Sequence, residues 1–220
     1  MWGRYTYELD WGEVVGLYQL TLPKEPPDGL GLAYNAAAGQ MLPIIRPKDD
    51  GRELSLARLG LLPFANADAD NTISADAETL RDDTTFRDSF IRRRCIVPAT
   101  GWYDWKKSGA ERQGPYYFRP AAKPLAFAGI WDVWKDDGGS ALLSFAIVTT
   151  GAAPSVQPYH HRMPLILEAT MFQQWMLGMP NEAAALMVPY GGVIEAWEVG
   201  ADVSNVRNNR PELMERVGLL

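Results

Sequence analysis

Apolar, β-branched and aromatic residues are concentrated in short runs along the chain, and polar or glycine-containing stretches separate one run from the next. Short apolar runs bounded by turn-forming residues predict β-strands. The predicted strands are residues 41–46, 54–62, 94–99, 115–119, 124–131, 142–149, 163–167 and 193–199. The intervening stretches 65–71, 106–114 and 135–140 are predicted turns, and they are too short to link separate domains.

A helical spacing of apolar positions predicts helices at residues 11–20, 85–93, 169–177 and 181–188. In the second of these, Thr84 is the predicted N-cap, and the arginines of the last turn are favoured by the helix dipole. Strands and helices do not alternate regularly, which favours an α+β fold over a doubly wound parallel sheet. Because the chain has no internal repeat or low-complexity tract, we expect one domain spanning residues 1–220.

Composition narrows the class of protein. With 220 residues, 47% of them hydrophobic and 22% charged, the chain has the balance of a globular protein and not of a disordered one. No apolar run reaches the roughly 18 residues that cross a membrane, and the N-terminus lacks the pattern of a signal peptide. We therefore expect a cytoplasmic protein. The net charge of −6 argues against bulk attraction to nucleic acid, so any such site must be a local basic patch.

Cysteine and histidine are scarce. The single cysteine, Cys95, excludes an intrachain disulfide, and it is predicted to be a small buried strand residue. Only two histidines are present, His160 and His161, so no metal site is expected. The arginine run at 92–94 is typical of a solvated helix end, with phosphate contact as the alternative.

Two segments carry candidate chemistry. His160 and Arg162 lie in a loop between Pro158 and Pro164 that enters an apolar strand; imidazole moves protons near neutral pH and guanidinium binds phosphate. The alternative is a structural histidine with a surface arginine. In a strand at 101–107, Asp104 would share a sheet face with a tryptophan, and apolar surroundings favour a role in proton transfer. An aromatic hairpin with a solvated carboxylate is the alternative there.

Segments spread over nearly the whole chain resemble the SOS response associated peptidase (SRAP) family, whose members attach covalently to abasic sites in single-stranded DNA. The most specific are Arg-Arg-Cys-Ile-Val-Pro-Ala-Thr-Gly-Trp-Tyr-Asp-Trp at 93–105 and His-His-Arg-Met-Pro at 160–164. Weaker matches lie at 3–4, 34–37, 42–46, 60–63, 73–79, 125–131, 145–150 and 205–209. The resemblance implies an α+β domain with a mixed or antiparallel, barrel-like sheet flanked by a few helices.

The resemblance also implies a catalytic set. In the family, a cysteine at position 2 becomes the N-terminal residue, and its amine and thiol close a thiazolidine on the ring-opened sugar. An asparagine, a glutamate and a histidine assist, and the same cysteine is credited with removing a leader. In this chain those positions are Trp2, Ser74, Asp104 and His160, of which only the histidine is unchanged.

The departures lead to specific expectations. Tryptophan has no thiol, and its bulk is expected to block removal of Met1, so thiazolidine crosslinking should be absent. Asp76 stands where the family has a DNA-facing arginine, a change that should oppose phosphate binding. Arg4 and Arg162 are retained and are expected to face the DNA groove. Phe64, near the family's missing tryptophan, is either a base-stacking residue or a packing residue.

Three functions remain open at this point. The first is an SRAP-fold protein that recognises abasic sites in single-stranded DNA with its covalent chemistry impaired or lost. The second is a non-catalytic module that binds single-stranded DNA or a protein, and the third is imine chemistry through the amine of Met1, with strand scission by β-elimination. We expect no cofactor, metal or membrane partner in any of them.

Overall fold

A computed structural model of the protein describes residues 3–49, 51–62, 72–108, 111–121, 126–136 and 138–218. The predicted turn at 65–71, together with Trp2 and Phe64, lies outside the described residues. Within the described ranges, no helix combines the length and the apolar character that crossing a bilayer requires.

Strands dominate the described part of the chain. They are β1 (Arg4–Tyr7), β2 (Ala33–Ala36), β3 (Met41–Lys48), β4 (Gly51–Leu59), β5 (Ser74–Asp76), β6 (Arg94–Pro98), β7 (Gly101–Ser108), β8 (Glu111–Pro120), β9 (Ala126–Lys135), β10 (Ala141–Gly151), β11 (Arg162–Pro164), β12 (Ile166–Leu167) and β13 (Ile194–Glu198). The α-helices are α1 (Trp11–Tyr18), α2 (Arg87–Arg92), α3 (Phe172–Leu177) and α4 (Pro180–Ala184). Short 3-10 helices span Ala169–Met171, Ala201–Ser204 and Pro211–Met214.

The larger sheet closes on itself as a barrel. Its strand order is β11-β10-β4-β3-β6-β9-β12, and β10 also pairs with β9, so β10, β4, β3, β6 and β9 form a ring. Strand β10 is parallel to β4 and to β5 and antiparallel to β9, which makes the sheet mixed. Apolar side chains such as Ile44, Ile96 and Phe145 are completely buried there. The predicted α+β fold with a barrel-like sheet is confirmed.

The second sheet is antiparallel and has the order β13-β8-β7-β1-β2. Alternate residues of β7 face two different clusters, as the strand periodicity predicts. On one face Trp102 stacks on Phe118 at 5.2 Å between ring centroids, in the main core. On the other face Tyr103 and Trp105 pack in a second cluster with Val203, which lies in the C-terminal segment of the chain. Two-sided packing rigidifies the strand that carries Asp104.

Several predicted strands differ from the observed ones in their bounds. The predicted turn at 106–114 is wrong, because β7 and β8 continue as a paired ribbon as far as Ser108 and Glu111. The predicted strand at 163–167 is divided into β11 and β12, which pair with different partners. Strands β1, β2 and β5 were missed because each has only three or four residues.

The helices are shorter than predicted. Helix α2 begins at Arg87, and Thr84 does not cap it, since Phe86 takes the cap position without a side-chain hydrogen bond. Arg94 is not a solvated helix end: it is 4% exposed and donates to the carbonyls of Phe90, Ile91, Trp175 and Gly178. It thus satisfies the unpaired carbonyls where α2 and α3 end.

Candidate functional site

A buried imidazole and a buried carboxylate meet where β7 approaches the loop before β11. The Nδ1 atom of His160 lies 3.4 Å from Oδ2 of Asp104, and the two side chains are only 6% and 2% exposed. The backbone N–H of Trp105 donates to Oδ1 of Asp104 at 2.8 Å. The Nδ1 atom of His160 lies 3.1 Å from the backbone N–H of Arg162 and 3.2 Å from the carbonyl oxygen of the same residue, and the imidazole tautomer decides which of the two it pairs with. Both side chains are therefore held in place by backbone groups.

The protonation of His160 follows from its surroundings. Burial lowers the pKa of His160 below the ordinary 6.5, the Asp104 carboxylate partly opposes this, and the charge of His161 adds to it. The rings of His160 and His161 are stacked, with centroids 4.5 Å apart. His160 is consequently neutral at pH 7, which makes it competent to accept a proton.

Strand β1 runs beside β7, so that the residue just before β1, Gly3, lies near this pair. Arg4 pairs with Tyr103 and Tyr5 with Trp102, so extending the register by one residue sets Gly3 opposite Asp104. A Cβ on Gly3 would lie 2.7 Å from Cδ1 of Ile73, so the backbone passes close to the start of β5. Gly3 therefore lies beside the buried carboxylate, at the N-terminal end of β1.

Ser74 begins β5, the short strand added to the barrel. It is half-buried and pairs with Ile147 of β10 in parallel register. Because Ile73 lies against Gly3, the Ser74 segment and the N-terminal segment are neighbours. The structure thus brings the N-terminal end of β1 into one region with Asp104, His160 and the Ser74 segment, although these residues are distant in sequence.

Arg162 is bound by carboxylates of the protein itself. Its Nη1 donates to Glu78 at 2.7 Å, and its Nη2 lies 3.1 Å from Oδ1 of Asp76. The same Nη2 donates to the carbonyl and the hydroxyl of Thr149 at 2.7 and 2.9 Å. Burial raises the pKa of Glu78, but the hydrogen bond and charge of Arg162 outweigh it and lower that pKa below the ordinary 4.5. Sequence reasoning identified Asp76 but missed Glu78, two residues further on.

Arg4 is also bound within the protein. Its Nη1 donates to Oδ1 of Asn35 at 2.9 Å and to the carbonyl of Val203 at 2.7 Å, and its Nη2 reaches the carbonyl of Ser204 at 3.2 Å. Buried Asn35 donates through Nδ2 to the carbonyls of Val203, Asn205 and Asn208. Arg4 therefore fastens the C-terminal segment beside the site, a role that sequence reasoning did not foresee.

Two predicted site residues, Trp2 and Phe64, are outside the described residues, so their placement stays a prediction. Among the residues that the structure describes, no group of three or more histidine, cysteine, aspartate or glutamate side chains is arranged to hold a metal ion. Cys95 lies on β6 and is completely buried, as predicted. Burial raises the pKa of its thiol far above the usual range.

Comparison with known proteins adds relatives that extend over nearly the whole chain. The abasic site processing protein YoqW of Bacillus subtilis is 30% identical over 224 residues, covering 98% of this chain and 99% of the relative. The abasic site processing protein YedK of Escherichia coli is 29% identical over 196 residues, covering 87% of each chain.

Solved structures agree with the fold. A crystal structure of a protein from Bacteroides thetaiotaomicron matches with a TM-score of 0.74 at 30% identity, covering 84% of this chain and 85% of that one. A protein from Bordetella bronchiseptica shares the fold with a TM-score of 0.75 at 24% identity. The family model of the SOS response associated peptidase (SRAP) matches residues 1–206. The chain therefore belongs to the SOS response associated peptidase (SRAP) family.

Proposed function

We propose that this protein recognises abasic sites in single-stranded DNA without forming the thiazolidine crosslink of its family. The observation that carries the proposal is the buried Asp104–His160 pair, with its 3.4 Å contact, beside Gly3 at the N-terminal end of β1. Further support comes from the relatives, which are named abasic site processing proteins. A cytoplasmic location and a single domain are parts of the same proposal.

The covalent step fails for lack of a thiol. A thiazolidine needs an amine and a sulfur on the same residue, because both bond to the aldehyde carbon and the aldehyde oxygen leaves as water. Trp2 offers no sulfur, and the one cysteine of the chain, Cys95, is completely buried in the barrel. An amine alone can form only an imine, which water reverses.

The proton-transfer pair is altered as well. The family glutamate is here Asp104, whose carboxylate sits on a stem one carbon shorter and lies against His160. In the tautomer with its proton on Nδ1, facing Asp104 and the carbonyl of Arg162, neutral His160 can accept a proton from the opened sugar through Nε2, and Asp104 stabilises the resulting imidazolium. We propose that this pair binds the sugar hydroxyls and aldehyde, with catalysis reduced relative to the family.

Attraction to phosphate is weak in this protein. Arg162 already meets Asp76 and Glu78, and Arg4 already meets Asn35 and two backbone carbonyls. A phosphate must displace these partners before it gains a full charge contact. We therefore propose modest affinity with a shallow dependence on salt, since few counterions are released from the strand.

The test uses the purified protein and a single-stranded oligonucleotide with one abasic site, next to an undamaged strand of the same sequence. We expect binding at low salt that favours the abasic strand, and denaturing gels without any heat-stable adduct. Borohydride, which traps imines, separates the outcomes: an adduct only after its addition indicates an imine through the amine. A heat-stable adduct without borohydride contradicts the loss of crosslinking, and absence of binding at low salt contradicts DNA recognition.

A further inference from the structure

Two tyrosines and a lysine form a cluster beside the Asp104–His160 pair that sequence reasoning did not identify. The ring centroids of Tyr116 and Tyr159 are 4.7 Å apart, with the ring planes tilted by 49°. The ammonium of Lys106 lies 5.6 Å from the ring centroid of Tyr159. We infer that Lys106, Tyr116 and Tyr159 form a subsite that stacks a nucleobase of single-stranded DNA next to the abasic sugar.

Backbone positions tie this cluster to the candidate site. Tyr159 directly precedes His160 in sequence, and Tyr116 of β8 is the register partner of Asp104. Directly paired residues of antiparallel strands share a sheet face, so Tyr116 lies on the same face as Asp104. A base seated on this cluster would therefore be the immediate neighbour of a sugar held at the Asp104–His160 pair.

The cluster packs on a buried residue on one side and faces solvent on the other. Phe118, completely buried, meets Tyr159 edge to face at 5.5 Å and fixes the height of that ring. Tyr116, Tyr159 and Lys106 are each half-buried, so parts of their surfaces face solvent. The tyrosines on the opposite face of this sheet, Tyr103 and Tyr117, are by contrast fully buried.

The chemistry of the cluster fits a single strand better than a protein partner. Aromatic rings stack on any base, and a nearby ammonium attracts the phosphate that follows it. At an abasic site the flanking base has lost a stacking neighbour, so a tyrosine ring can take that place. Because Arg162 is already paired with Asp76 and Glu78, stacking must supply part of the affinity that phosphate contacts do not.

The inference rests on the proposed function, and its test separates the two. The probe is a single strand carrying a tetrahydrofuran abasic analogue next to 2-aminopurine, whose fluorescence falls when the base is stacked. We expect the unsubstituted protein to quench the probe, and Tyr159→Leu to abolish the quenching and weaken binding by about tenfold. Tyr159→Phe keeps the ring and should keep both. Lys106→Gln should weaken binding and leave quenching at saturation intact.

Matched controls come from outside the cluster. Tyr190→Leu removes another half-buried tyrosine, and Lys48→Gln removes a lysine that pairs with Glu53 on the barrel; neither should change binding or quenching. Far-ultraviolet circular dichroism of every variant checks that the fold is retained. Binding without quenching, or equal quenching by Tyr159→Leu and Tyr159→Phe, overturns the subsite alone. No binding by the unsubstituted protein overturns the subsite together with the proposed function.

Discussion

Asp76 forms an ion pair with Arg162 beside the candidate site, with Oδ1 of the carboxylate 3.1 Å from Nη2 of the guanidinium. The resemblance to the family implies an arginine at the position of Asp76, and we expect this substitution both to remove one cation and to neutralise a second, Arg162. Glu78 completes the neutralisation from the other side of the guanidinium at 2.7 Å. This arrangement sets the expected strength of DNA binding.

Removing the Asp76 charge should strengthen DNA binding. In Asp76→Asn, Arg162 loses one of its two anionic partners and becomes available to phosphate. We expect tighter binding to single-stranded DNA, and a plot of log affinity against log salt that is steeper by up to about 0.7, the value for one added phosphate contact. Fluorescence anisotropy at several salt concentrations measures both quantities.

The matched control is Glu195→Gln on β13, which removes the same charge from an exposed ion pair with Arg119 on β8. That variant reports the effect of net charge alone, and its salt slope should stay that of the unsubstituted protein. Equal slopes for the Asp76 and Glu195 variants would show that Arg162 does not reach the DNA.

Acid should destabilise the protein through His160. Because burial lowers the pKa of His160 below its ordinary 6.5, the unfolded chain binds this proton more readily than the native one. The contribution of His160 to stability is complete above pH 6.5 and is lost as the pH falls from there through the native pKa. Urea unfolding at about pH 7.5 and about pH 5.5 should therefore show a larger acid loss for the unsubstituted protein than for His160→Gln. The same loss in both proteins would contradict the lowered pKa.

Arg94 should prove a stability residue and not a DNA contact. Arg94→Met leaves the carbonyls of Phe90, Ile91, Trp175 and Gly178 without their donor. We expect a loss of about 3 kcal/mol in the free energy of unfolding, since carbonyls that lose their donor in a buried position cannot hydrogen-bond to water instead. Arg92→Met, at an exposed position of the same arginine run, should change it by less than about 0.5 kcal/mol. Urea denaturation compares the two, and equal losses would refute the capping role.

Cys95 should resist alkylation in the folded protein. Its side chain is completely buried and its thiol has a strongly raised pKa, whereas the thiolate is the form that reacts. Iodoacetamide at neutral pH should leave the native protein unmodified by mass spectrometry and modify one site in concentrated urea. Rapid modification of the native protein would contradict the burial of Cys95.

The sequence predicts the larger part of the fold but less of the site. The strands around Ile44, Ile96 and Phe145 were predictable, since long apolar runs in a barrel wall need no knowledge of their partners. The three-residue strand that carries Ser74 was not, because β5 is formed by pairing with β10. Arg162 and Glu78 are 84 residues apart in sequence, and their contact depends on the pairing of β5 with β10. No local sequence pattern therefore predicts it.

The Asp104–His160 pair illustrates a second limit. The alternation of β7 predicts that Asp104 shares a face with Trp102, and this is observed. Its meeting with His160 depends on how the loop before β11 crosses the second sheet, which only the resemblance to a family suggested. That Arg4 faces DNA stays a prediction, and the sequence did not indicate that its guanidinium hydrogen-bonds Asn35 and the C-terminal segment.

The central claim is that the missing thiol prevents the crosslink, while Asp104 in place of the family glutamate only reduces catalysis. The most direct measurement is crosslinking by Trp2→Cys, with the unsubstituted protein and Trp2→Ser as controls, on an abasic single strand resolved in denaturing gels. We predict a heat-stable adduct for Trp2→Cys alone, formed after removal of Met1, and slower formation when His160→Gln is added. A Trp2→Cys protein that has lost Met1 and binds the strand, yet forms no adduct, would contradict the claim.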